Sequence, residues 1–244
     1  MSKTIVITGA GAGLGRALAR RLAADGDEVV LLGRTAAKVE KVAAEIGPRA
    51  MAVGCDVASP QSVAAAFKAV AARHPRIDVL INNAAVYEPF LVAEATDEQI
   101  LKIIATNLTG PILCVRAAIP LMHAGGHIIN LSSESVELPF PHLSLYQCSK
   151  DGLERFSQAL EQELAPQGIR VTTVRAGQMM DADKTWDVDP QAAARFGAAA
   201  LAVGLNLRER PISQFTSVTH IFRALIDLPT DLHAGSVVLR ARKP

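Results

Sequence analysis

Seven short apolar runs recur along the chain: 3–8 (KTIVIT), 28–33 (EVVLLG), 49–55 (RAMAVGC), 77–82 (IDVLIN), 126–132 (GHIINLS), 169–174 (IRVTTV) and 236–240 (SVVLR). Their hydrophobic residues are continuous instead of alternating with polar ones, the pattern of strands covered on both faces. Between them lie stretches rich in Ala, Leu, Glu and Arg, at 13–25, 35–46, 60–73, 97–121, 146–165 and 213–227, each long enough for a crossover helix. In the first of these, Leu14, Ala17, Leu18 and Leu22 supply apolar side chains at helical spacing, and Gly26 reads as a C-cap. Strand and helix in alternation predict an α/β fold, a doubly wound parallel sheet of seven strands with helices on both faces. No linker interrupts the pattern, so one domain spanning 1–244 is expected. The segment 178–212 breaks the rhythm with a polar stretch around Trp186 and an Ala-rich helical piece. It reads as a substrate lid or as a surface insertion without a role.

Composition narrows the function classes. The 244 residues are half hydrophobic with a net charge of +1, so no broad field attracts nucleic acid or anionic lipid. Neither partner is expected. Cys55, Cys114 and Cys148 are odd in number and widely spread, which argues against a disulfide framework. The histidines and cysteines show no metal-ligand spacing, so no metal is assigned. The N-terminal apolar run is too short for a secretory signal, and no run reaches the eighteen apolar residues of a membrane span. A cytoplasmic location is the expectation.

The loop TGAGAGLG, Thr8 to Gly15, follows the first strand and opens the first helix. Small residues there let backbone approach a pyrophosphate, and the helix N-terminus offers free N–H groups and a positive dipole end. The spacing is T-G-x-x-x-G-x-G through Gly9, Gly13 and Gly15; Leu14 stands where the stricter G-x-G-x-x-G fingerprint needs glycine. A Rossmann-type dinucleotide site is expected. At the end of the second strand, where an NAD site carries an acid for the ribose 2′-hydroxyl, this chain has Arg34. A guanidinium accepts a 2′-phosphate, so NADP(H) is preferred over NAD(H). Asp56, in CDV at 55–57, either meets the adenine edge or flanks the next helix.

Tyr146 and Lys150 lie four residues apart, one helical turn. An adjacent ammonium is expected to lower the phenol's pKa and fit it for acid/base work. Ser132 and Ser133 end the fifth strand, on the edge where open α/β sheets bind ligands.

Over residues 3 to 177 the chain resembles the short-chain dehydrogenase/reductases. The resemblance rests on the glycine loop at 8–15, NNA at 82–84, Asn107, a serine thirteen positions before the tyrosine, and Tyr-x-x-x-Lys at 146–150. It implies a catalytic tetrad. Tyr146 is the acid/base, Ser133 the ligand of the substrate oxygen, Lys150 the residue that holds the ribose and tunes Tyr146, and Asn107 the keeper of a helix bulge and a water. Ser132 is one residue off the family spacing and faces the other way in a strand. Cofactor contacts are implied at Thr8, Gly9, Gly13, Leu14, Gly15, Arg34, Asp56, Val57, Asn83, Ala84, Lys150 and Gly177. The expected reaction interconverts a carbonyl and a secondary alcohol by direct hydride transfer, with reduction as the working direction.

The chain departs from the family pattern at Ala85, at Ala176–Gly177 without the usual proline, at Asp181 in place of a hydroxyl, and in its basic tail. These changes motivate the alternative of a catalytically impaired NADP(H)-binding regulatory protein. A substrate pocket is expected from 134–145, about 86–92, and 178–212. Within it His142 and Glu134 are candidates for substrate contact, while Met179, Met180 and Trp186 line the pocket or pack the lid. Cys148 is expected to be a small buried thiol, and Arg208 and Arg210 to be solvated. Leu153, Phe156 and Leu160 are read as apolar outer positions of a helix, and with the resemblance they imply a homodimer or homotetramer.

Overall fold

The structure is a computed structural model that describes residues 2–180 and 188–242. Asp181 and Trp186 lie outside the described residues. Strand β1 (Thr4–Thr8) leads into α1 (Gly13–Ala24), and the alternation continues through β2 (Glu28–Gly33), α2 (Ala36–Ile46), β3 (Ala50–Gly54), α3 (Pro60–Arg73) and β4 (Val79–Asn82). Then come α4 (Asp97–Ile104), α5 (Gly110–Ala118), β5 (His127–Ser133), α6 (Ser144–Leu164) and β6 (Arg170–Ala176). The remainder holds β7 (Met179–Met180), α7 (Pro190–Ala202), β8 (Ser213–Gln214), α8 (Phe215–Ile226) and β9 (Ser236–Leu239).

Seven strands form one parallel sheet in the order β3-β2-β1-β4-β5-β6-β9. The continuous apolar runs follow from its two covered faces. Ile5, Ile7, Val29 and Leu31 feed one core with Leu18 and Leu22 of α1 and Phe222 of α8. Val6, Val30, Leu32, Leu80 and Ile128 feed the other with Phe67 and Val70 of α3, Leu113 of α5 and Leu160 of α6. Each such side chain contributes roughly 1.5–3 kcal/mol on burial. The strand order reverses between β1 and β4, which opens the crevice outside their C-terminal ends.

The stretch 97–121, expected as one helix, is α4, a π-helical turn at Ala105–Thr109, α5, and a last 3-10 turn. Thr96 starts it with a capping box to Gln99. By length and mean hydropathy, 1.4, Asp97–Leu121 passes for a membrane span. Here it is a packed layer: Leu113, Cys114, Val115 and Ala118 are buried in the core shared with α3 and β4. The outer-face reading of α6 is corrected too. Leu153 and Leu160 are buried within the chain, and Phe156 packs against the same core. The helix turns its stripe 153–157–160–164 inward to cover the sheet, so these residues do not argue for a subunit interface.

The described parts of the segment 178–212, residues 178–180 and 188–212, hold regular structure. β7 pairs in parallel with β8, and α7 packs Phe196 against Phe140 and Leu143 in a third, small apolar cluster.

Candidate active site

The glycine loop closes on itself before it faces anything else. Gly9 has φ +69°, and a Cβ there would lie 2.9 Å from Ala84 Cα. A Cβ on Gly15 would meet Gly9 O at 2.4 Å. Only glycine fits both positions. Thr8 ties the loop to the end of β4: its buried hydroxyl accepts from the N–H groups of Asn83 and Ala84, each at 3.0 Å. The Asn83 amide returns a hydrogen bond to Thr8 O at 2.9 Å. Helix α1 then starts at Ala12 without a side-chain cap and without an acidic residue in its first turn. Its first N–H groups and positive dipole end are therefore available to an anion.

This helix start borders a cleft of about 460 Å³ lined by Gly9, Gly13, Leu14, Arg34, Asp56, Val57, Asn83, Ala84 and Thr106, among others. Thr8 and Gly15 stand behind the lining as supports. Arg34 is exposed at the end of β2 and makes no ion pair among the described residues. Asp56 flanks α3, its carboxylate accepting from Ala58 N at 3.0 Å in the turn before that helix, and it also lines the cleft.

Ala85 and Met179 continue the wall into a second cavity of about 410 Å³. Ser133, Tyr146 and Lys150 line it, and Gly177 lies at its edge beside Leu239 O. The Ser133 side chain stands close enough to the Tyr146 phenol to lower its pKa. Ser132 points to the other face of β5, where its hydroxyl donates to Glu154 at 2.6 Å. Lys150 is 2% exposed, and its Nζ donates to Leu131 O at 2.7 Å. The same Nζ is 5.9 Å from the centre of the Tyr146 ring.

The electrostatics correct one expectation. The phenol is pushed up, not down: burial raises it, the Ser133 side chain lowers it, and the Glu134 carboxylate raises it again. Burial acts on Lys150 as well: its ammonium is desolvated, and its pKa falls to about 8.

Asn107 is wholly buried in the π turn. Its amide clamps Val86 on both sides, accepting from Val86 N and donating to Val86 O, each at 2.8 Å. It also donates to Ser149 Oγ on α6 at 3.2 Å. The bulge thus fixes the strand-end loop after β4 against the helix that carries Tyr146 and Lys150. A second buried thread does similar work: Asn82 donates to Asn130, and Asn130 to Ser157, both at 2.8 Å.

The stretches 86–92, 134–145 and 178–212, from which a pocket was expected, all supply lining residues, most of which the sequence did not single out. Tyr87 lies with its ring centre 5.6 Å from that of Tyr146, and burial pushes its phenol up to about 12. Phe140, Leu143, Phe196 and Leu207 build the apolar wall, and Ser135 adds a buried hydroxyl. Arg210 is not solvated; it lines the cavity and pairs with Glu134. Glu154 sits one turn beyond Lys150 and pairs with Arg175 through both carboxylate oxygens. That i, i+4 spacing was the one available signal. His142 is absent from the cavity lining; it has φ +60° and passes its carbonyl to Phe90 N. Cys148 is exposed, since its position on α6 faces away from the sheet.

A doubly wound sheet whose switch-point crevice opens into a cavity lined by titratable side chains is the architecture of dinucleotide-dependent α/β enzymes. The comparison with known families makes this specific. A model described as short chain dehydrogenase matches residues 3–192, and the chain belongs to that family of oxidoreductases, which bind a nicotinamide cofactor. Carbonyl reductase family member 4 of Danio rerio is 31% identical over 230 residues, 93% of this chain and 91% of the relative. Among solved structures, a short chain dehydrogenase from Burkholderia cenocepacia in complex with NADP is 26% identical, covering 98% of this chain and 96% of that one, with a TM-score of 0.83. A 3-ketoacyl-(acyl-carrier-protein) reductase from Brucella melitensis complexed with NADH is also 26% identical, with 97% and 95% covered and a TM-score of 0.80.

Proposed function

We propose that the protein is an NADP(H)-dependent oxidoreductase that interconverts a carbonyl and a secondary alcohol. The observation that carries this reading is the shared wall: the cleft at the glycine loop runs through Ala85 and Met179 into the cavity that holds Tyr146 and Ser133. The residues present fit a dinucleotide. The uncapped start of α1 and the backbone of Gly13 and Leu14 suit a pyrophosphate. Arg34, exposed and without a carboxylate partner among the described residues, suits a 2′-phosphate. When bound, the nicotinamide supplies or accepts the hydride.

In the reductive direction Tyr146 donates its phenolic proton to the carbonyl oxygen as negative charge develops there. Its raised pKa keeps that proton in place at neutral pH. Ser133, on the same cavity wall as the phenol, holds the same oxygen. Lys150 binds ribose hydroxyls by turning from Leu131 O, and its charge favours the phenolate left behind. Asn107 acts by fixing Val86 and α6. Phe196 of α7, in the lid assigned to 178–212, packs on Phe140 and Leu143 and so seats that lid at the cavity, on a single domain. Assembly as a homodimer or homotetramer and a cytoplasmic location complete the proposal.

The test is oxidation of NADPH and of NADH against a panel of ketones, aldehydes and quinones. Turnover with preference for NADPH supports the reading. Tight binding of either cofactor without turnover on any carbonyl refutes it and favours the regulatory alternative.

A further inference from the structure

The cavity wall carries a charged group that the tetrad does not use. Arg210, in the stretch between α7 and β8, lies across the opening from the sheet and reaches back to Glu134, the residue after Ser133. Its guanidinium lies over the Phe140 ring at 5.3 Å. One arm of the fork, Nη2, is taken by Glu134. The other, Nη1, is enclosed and has no acceptor among the described residues. Ser135, on the same wall and 2% exposed, has a hydroxyl oxygen that is also enclosed and unpartnered. Leaving such groups unsatisfied costs stability, and native structures seldom do so without a reason.

The surroundings define what would satisfy them. Away from the tetrad, Ser132 and Gln178, the remaining wall is mostly apolar, with Tyr87, Leu143, Met179, Phe196 and Leu207. Glu134 already neutralises Arg210, and its carboxylate stands beside the free arm. An anionic group there would meet like charge. An uncharged oxygen would gain a charge-assisted hydrogen bond without that repulsion. We propose that Arg210 is a specificity-determining residue, and that the substrate is an uncharged, largely apolar ketone or alcohol with a second oxygen acceptor, of carbonyl or ester type, received by Arg210 Nη1. Reaching it requires the guanidinium to slide over Phe140 until Nη1 faces the cavity. This rests on the oxidoreductase reading above.

The experiment uses a series of oxo esters in which the ester lies progressively further from the ketone. Each is paired with the alkanone of matching length and with the free oxo acid. In the wild-type protein one member of the series is expected to exceed its alkanone in kcat/KM by roughly tenfold or more, and to exceed its free acid as well. Arg210→Met is expected to bring the ester-to-alkanone ratio close to one, a quantity in which any general loss of activity cancels. Glu134→Gln is expected to raise the free acid relative to the ester. A wild-type ratio near one across the whole series, a ratio that survives Arg210→Met, or a preference for the free acid overturns the proposal while leaving the oxidoreductase reading intact. No turnover of any ketone with either cofactor overturns both.

Discussion

Replacing Lys150 with Met should destroy function and yet make the unliganded protein more stable at neutral pH. Lys150 is 2% exposed, and desolvation brings its pKa from 10.5 to about 8. At ~1.36 kcal/mol per pH unit, that difference is worth roughly 3 kcal/mol. The sign follows from proton counting. Between pH 8 and 10.5 the unfolded chain holds a proton at this lysine that the folded chain does not, so stability rises with pH there. Below pH 8 both states are charged, and the folded state carries the full cost of a buried ammonium. Met matches the unbranched stem without the charge. Against the gain stands the lost hydrogen bond to Leu131 O, 2.7 Å long and worth about 1–2 kcal/mol. The net expectation at pH 7 is a gain of about 1–2 kcal/mol, or roughly 2–8 °C in Tm for a chain of this size. Thermal and urea unfolding of both proteins without cofactor, from pH 6 to about 10, reads it. The advantage should shrink as wild type recovers above pH 8. A variant less stable than wild type at pH 7, or a difference flat across that range, would refute the view of Lys150 as a buried cation kept for chemistry.

Three other substitutions probe the remaining parts. Tyr146→Phe should keep cofactor affinity, measured by fluorescence titration, and lose about 10²–10⁴ in kcat; turnover near the wild-type level would end the acid/base role. Arg34→Asp should move the NADPH-to-NADH ratio of kcat/KM by roughly tenfold or more towards NADH, and an unchanged ratio would mean that the guanidinium does not meet the 2′-phosphate. Asn107→Ala removes both hydrogen bonds to Val86 and one to Ser149, and should cost about 2–4 kcal/mol in urea unfolding. A loss under half a kcal/mol would show that the π turn holds without its amide.

The strands were legible because a sheet covered on both faces writes itself as unbroken apolar runs. Lys3–Thr8 and Ile77–Asn82 needed only to be trimmed to Thr4–Thr8 and Val79–Asn82. The glycine loop was legible for a related reason: Gly9 and Gly15 are positions that backbone contact forbids to any side chain. What failed was whatever depends on which elements meet. Apolar Leu153 and Leu160 looked surplus to one sheet, yet α6 lies against β5 and β6 and spends both on that contact. Arg210 looked solvated because nothing within its own segment pairs with it; its partner Glu134 is 76 positions away. The phenol's raised pKa is likewise a product of burial and of Glu134, neither visible in the spacing of Tyr146 and Lys150.

Helix α6 shows how those long-range contacts support the chemistry. It presents Tyr146, Lys150 and Glu154 at successive turns, with Ser149 and Ser157 beside them. All but Tyr146 are buried, a polar load that a helix on a hydrophobic core carries only if each group has a partner. Each does: Leu131 O for Lys150, Asn107 and Tyr146 O for Ser149, Arg175 and Ser132 for Glu154, and Asn130 with Leu153 O for Ser157. Apart from the helix's own Tyr146 and Leu153 carbonyls, these partners come from β5, β6 and the π turn, so they fix α6 in both rotation and height against the strand end that bears Ser133. Apolar packing alone would tolerate a small slide of the helix, because Leu153 and Leu160 meet other apolar atoms wherever they land. A charged pair such as Glu154–Arg175 does not tolerate it, since a slide leaves a buried carboxylate unpaired at a cost of several kcal/mol. The polar rungs of α6 therefore set the register that brings the Tyr146 phenol to Ser133, and the leucines between them supply the binding energy that lets the rungs stay buried.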